Sequence, residues 1–173
     1  MANTWHGSAQ AVAYASAKNL IDIFNGAASA KLIKLYRMWI FNNGTASVTG
    51  VLTALQVRRS STGSGGTTIT PVAHNLGNTA LDANTTVGTN RTVSSTSIFR
   101  QILWQNDEPA VTTLDMDALL TLVAFAEIWN SGYGDSNVEP LSCRASNAEG
   151  ITLIQPGSNA VGSCDVEIEF TSE

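Results

Sequence analysis

Asp165-Val166-Glu167-Ile168-Glu169-Phe170 is the stretch on which the fold turns. Apolar and acidic side chains alternate strictly, the period of a strand with one buried face and one wet face. A half-wet strand belongs to an antiparallel sheet, because a parallel strand is covered on both sides.

Working back from this strand, short apolar runs alternate with turn residues. Pro156-Gly157-Ser158-Asn159 is a turn, preceded by short strands at Ile151–Gln155 and Pro140–Ala145. Leu119 to Asn130 reads either as a helix capped by Asp117 or as a strand from Thr121; the Phe125-Ala126-Glu127-Ile128-Trp129 run before Asn130-Ser131-Gly132 favours the strand. Pro109 forces a turn after a strand at Ile98–Gln105. The polar stretch Asn75–Thr96 holds Val87 and Val93 as markers of short strands.

Nearer the start, Val51, Thr53, Leu55 and Val57 share one face of Val48–Arg59, and Leu52, Ala54, Gln56 and Arg58 share the other. Ser60–Gly66 then reads as a flexible turn joining that strand to Thr67–Ala73 as a hairpin. Lys31–Asn42 and Leu20–Phe24 are the first strands, stopped by Asn42-Asn43-Gly44 and Asn25-Gly26. The expected fold is all-β: an antiparallel β-sandwich of jelly-roll type with about eight to ten strands. Residues 1–17 are expected to form an extended, flexible N-terminal arm, and 18–173 the domain.

Composition narrows the function. Charged residues make up 13% of the chain, about half of the usual share near 25%. Solubility therefore rests on Ser, Thr, Asn and Gln, neutral groups that cost less to desolvate than charges do. Such a surface suits a protein that lives in contact with others. The net charge of −5 gives a nucleic-acid partner no electrostatic support, and the Arg58-Arg59 pair reads as a solvated strand end. No run of apolar residues is long enough for a membrane helix, and the N-terminus lacks the pattern of a secretory signal. Cys143 and Cys164 are accordingly expected as buried thiols, without a disulfide.

Catalytic chemistry has few candidates. The two histidines, His6 in the arm and His74 at a strand end, have no evident nucleophile beside them. Asp107, Glu108, Asp115 and Asp117 sit among turn residues, and Glu127, inside an apolar run, reads either as lying on the wet face of an edge strand or, the favoured reading, as paired with an arginine such as Arg37 or Arg100. No metal or cofactor is expected. The rival to an assembly role is sugar binding: Trp129, Tyr133, Asp135 and Asn137 gather aromatic and polar groups in one loop region, in the manner of sandwich lectins.

The run Tyr36-Arg37-Met38-Trp39-Ile40-Phe41-Asn42-Asn43, with Val48-Thr49-Gly50-Val51, resembles a first core strand and hairpin of small β-sandwich virion proteins of tailed bacteriophages. The ending Glu149-Gly150-Ile151-Thr152-Leu153-Ile154, Ala160-Val161-Gly162 and Asp165–Phe170 is similar to theirs, so the resemblance runs through about residues 20–171. It implies a capsid decoration (cement) protein, a homo-oligomer with a trimer favoured, seated on the shell of major capsid protein, without enzyme activity or cofactor. Trp5 and Tyr14 would then anchor the arm in partner pockets. The alternative it implies is a trimeric tail-fibre or spike domain that binds host glycans.

Overall fold

The computed structural model describes residues 3–42, 51–106, 125–132, 139–157 and 162–173. Twelve strands occur among them: β1 (Asn3–Ala13), β2 (Asn19–Asn25), β3 (Ile33–Asn42), β4 (Val51–Ser64), β5 (Thr67–Ile69), β6 (Val72–Ala73), β7 (Thr85–Thr89), β8 (Thr92–Asn106), β9 (Phe125–Asn130), β10 (Leu141–Cys143), β11 (Glu149–Ile154) and β12 (Ser163–Ser172). They form two sheets in which every ladder is antiparallel. Sheet A has the order β10-β3-β12-β1-β6, with β9 beside β3, and sheet B has the order β5-β7-β2-β11-β4-β8.

The core lies between the sheets, as the closing strand requires. Val166, Ile168 and Phe170 of β12 are fully buried, and so are Ile33, Leu35 and Ile40 of β3. Sheet B meets them with Ile21, Ile23, Val57, Ile151 and Leu153. Each such side chain contributes about 1.5–3 kcal/mol by leaving water. The molecule is thus an all-β sandwich.

The N-terminal arm is a correction. Residues 3–13 are β1, an inner strand that pairs with β12 from Asn3↔Ser172 to Ala13↔Ser163 and with β6 at Trp5↔Ala73. Trp5 and Tyr14 lie in this chain's own core at 8% and 5% exposure, so they are not anchors in a partner. Small polar residues read as an arm because the strand's apolar side is thin: Trp5, Gly7, Ala9 and Val12. Gly7 supplies no bulk, since Ile168 and Val87 already approach to 3.3 Å of where its Cβ would sit.

The hairpin expected over 60–73 is a second correction. β4 continues to Ser64, and its polar end pairs with the polar start of β8, Ser64↔Thr92 and Ser60↔Ser95 among the contacts. Seryl and threonyl backbone forms ladders as readily as any other when a neighbour supplies the partners. β5 pairs with β7 instead. The chain turns only at Gly65-Gly66, both in the left-handed region (φ 69° and 67°), and a Cβ on Gly66 would lie 2.1 Å from the Thr89 carbonyl oxygen. Of 119–130, the part from Phe125 onward is strand; the rest, with Asp107, Glu108, Asp115 and Asp117, lies outside the described residues.

Candidate functional site

Two surfaces stand out, one on the open face of sheet A and one along the edge of sheet B. On the first, the outward side chains of β12 set the pattern. Asp165 lies opposite Phe41, Glu167 opposite Trp39 and Glu169 opposite Arg37 on β3, while Ser8 and His6 of β1 lie opposite Glu167 and Glu169. Directly opposed residues share a face, with Cβ atoms about 5 Å apart. β9 extends the row, placing Phe125 opposite Phe41 and Glu127 opposite Trp39.

The face thus mixes aromatic rings with charge. Phe41 and Phe125 stack with centroids 6.1 Å apart and an interplanar angle of 26°, and Phe125 is 58% exposed. The Arg37 guanidinium carbon lies 5.9 Å from the Trp39 ring centroid. Glu169 receives Arg37 at 3.8 Å and His74 Nε2 at 3.3 Å, and His6 Nε2 is 4.0 Å from Glu167. Both histidines therefore stand on this face, against glutamates rather than beside a nucleophile.

A bulge in β1 shapes the near end of the face. Ala9 opposes Val166 and Val12 opposes Cys164, so Gln10 and Ala11 together oppose Asp165. Ala11 sits at φ 54°, and its N–H donates to Asp165 Oδ1 at 2.8 Å. Beside the bulge lies a shallow groove of about 290 Å³, lined by Ser8, Ala9, Gln10, Phe41, Asp165 and Glu167.

The second surface is β8. It has fifteen residues and pairs with β4 alone among the described strands. It contains no proline, and Arg100 is its only charged residue. Ile98 is 51% and Leu103 69% exposed. A register shift brings Ile98 opposite Arg58, and Leu103 opposes Ala54. Because Arg58 and Ala54 share a face, the two exposed apolar side chains do too.

The other polar clusters hold the fold together. Glu149 bridges Arg59 (3.5 Å) and Arg144, whose hydrogen bonds hold its carboxyl below the usual range. Arg59 also donates to the Ser142 carbonyl and lies over the Phe99 ring, so it is not a solvated strand end. In sheet B, Arg91 Nη1 reaches the fully buried Asp22 at 3.2 Å. Burial raises the Asp22 carboxyl to about 7, against the pull of Arg91 and the neighbouring hydrogen bonds. Trp104 Nε1 donates to the Tyr14 hydroxyl at 3.0 Å.

Of the residues singled out by sequence for sugar binding, Trp129 alone is among the described residues. Trp129 packs half-buried against the core; Tyr133, Asp135 and Asn137 lie outside the described residues. Glu127 accepts from Asn130 Nδ2 at 2.9 Å on the exposed side of β9, so it lies on the wet face of its strand. Cys143 and Cys164 are buried free thiols on β10 and β12, and burial pushes both up to about 12. Among the described residues no group of His, Cys, Asp and Glu is placed to hold a metal ion, and no helix is long and apolar enough to cross a membrane. The aromatic face was missed, although Trp39 and Phe41 alternate with the buried Met38 and Ile40 and so already pointed outward.

No protein-family model, curated protein or solved structure matches the chain.

Proposed function

We propose that this protein is a non-enzymatic structural component of a virion, a capsid decoration protein that binds the major capsid protein and stabilises the shell as a homo-oligomer. The observation that carries the proposal is the edge of β8. Proteins that remain monomeric blunt their edge strands with lysines, prolines or short length. β8 is long and nearly uncharged, and it carries Ile98 and Leu103 exposed on one face. Such an edge suits a chain that pairs with another chain.

The strand order adds support at the level of architecture. β1 pairs with β12, β2 with β11, β3 with β9 and β4 with β8, each antiparallel. These four pairs alternate between the two sheets, which is how a long hairpin wraps into a jelly roll. We read the fold as that wrapping, extended by β5, β6, β7 and β10. Double-sheet jelly rolls are common in viral capsid proteins, and the resemblance of residues 20–171 to phage virion proteins points the same way.

The test is cryo-electron microscopy of purified particles from the phage that encodes the chain. Two-sheet domains seated as oligomers on the capsid lattice are the expected result. Absence of the protein from purified particles, or its presence at the tail alone, would overturn the assignment.

A further inference from the structure

We infer that the bulge groove on sheet A is a binding subsite for one neutral sugar ring, a role that does not depend on the assembly function. A pyranose offers two kinds of surface: an apolar C–H face, and a rim of hydroxyls that donate and accept hydrogen bonds. The groove offers the complement of both. Phe41 gives the groove its aromatic wall, with the exposed Phe125 stacked against Phe41. Asp165 and Glu167 supply carboxylate acceptors two residues apart on β12, each able to accept from a sugar hydroxyl. Ser8 and Gln10 on the facing strand both donate and accept.

Size and shape agree with one ring. The volume of about 290 Å³ sits at the lower end of small-molecule sites, which begin near 300 Å³. The bulge matters because two residues, Gln10 and Ala11, are set against one, which parts the ladder beside Asp165. Ala11 holds an unfavourable left-handed conformation there, and its N–H fixes the Asp165 carboxylate at one oxygen. The charge selects the class of sugar. Asp165, Glu167 and the exposed Glu127 along the same face make it unfavourable for a sialic or uronic acid.

Saturation-transfer NMR with the full chain tests this, using the methyl glycosides of glucose, galactose, mannose and N-acetylglucosamine, with sialic acid and methyl glucuronide as the anionic set. Transfer to at least one neutral glycoside at millimolar concentration, and to neither acid, is expected. Phe41→Ala and the near-isosteric Glu167→Gln should each weaken that binding by about tenfold, with an unchanged circular dichroism spectrum. The inference is overturned by no transfer to any neutral glycoside, by stronger binding of the acids, or by binding that Glu167→Gln leaves intact in a folded protein.

Discussion

Asp22 and Arg91 bury a carboxyl and a guanidinium together inside sheet B, 0% and 5% exposed. Arg91 also donates to Thr86 and to the Val87 carbonyl, and a Cβ on Gly88 would lie 2.1 Å from its Nε. Arg91→Ala should therefore cost about 3–5 kcal/mol, because it strands Asp22 in the interior; urea denaturation measures this. The Asp22 carboxyl is raised by burial to about 7, so the folded state holds its proton more tightly than the unfolded chain does. Its contribution to stability is complete below about pH 4, near the unfolded value, and is lost as pH rises through about 7. Asp22→Asn should remove that fall from a urea-midpoint profile against pH. Glu149, held low by Arg144, contributes with the opposite sign in acid, losing its share as pH drops. The two buried thiols, pushed up to about 12, should ignore a disulfide reagent in the native protein and react once it is unfolded. Fast reaction of the folded chain would show that β10 or β12 opens locally. The Asp22–Arg91 pair was not legible beforehand: sixty-nine positions separate the two residues, and only the pairing of β2 with β7 brings the turn after β7 over Asp22.

β1 and β8 make opposite demands on the chain. β1 looks dispensable by composition yet lies between β12 and β6, and it delivers Trp5 and Val12, with Tyr14 just beyond, to the core. Losing three such side chains removes about 5–9 kcal/mol of burial, comparable to the whole stability of roughly 5–15 kcal/mol of an ordinary domain. Deleting residues 1–14 should abolish cooperative thermal unfolding; a truncated chain that melts like the parent would restore the idea of a free arm. β8 pairs with β4 on one side and, among the described residues, meets only a single bridge from Lys18 to Thr92 on the other. Replacing both Ile98 and Leu103 with Lys should leave the melting temperature nearly unchanged, because both are exposed. Light scattering should meanwhile shift from an oligomer to a monomer. An unaltered oligomer would place the contact elsewhere. Most strands were legible, because the aliphatic and aromatic runs of β3, β4, β8, β11 and β12 stand between turn residues. β2 was seen but not its double burial: Leu20, Ile21, Asp22 and Ile23 are all buried, since Arg91 and the segment at Gly63 cover its outer side.

Across the whole molecule, the chain's two ends are stitched together: β1 lies against β12 over nearly its entire length, with Asn3 opposite Ser172. Sheet A cannot be completed until β12 is available, nor sheet B until β11 is. Contacts so distant in sequence slow folding, and refolding is expected to take milliseconds to seconds rather than microseconds, as stopped-flow fluorescence of the tryptophans would report. The interleaving of early and late strands in both sheets also predicts a single unfolding transition, seen as coincident far- and near-ultraviolet circular dichroism melts. Two separated transitions would mean that the sheets come apart independently.

The all-β class, the wet and dry faces of β12 and the low-charge surface follow from sequence alone, because alternation and composition are local properties. Which strands are neighbours does not. Pairing depends on backbone hydrogen bonds that any residue except proline supplies, so the same Ser- and Thr-rich segment serves as a turn or as the end of β4, depending on what lies beside it. Tertiary structure alone decided that the N-terminal residues are an inner strand. It alone set Phe41, Phe125, Asp165 and Glu167 on one face, since that requires β3, β9 and β12 side by side in one register.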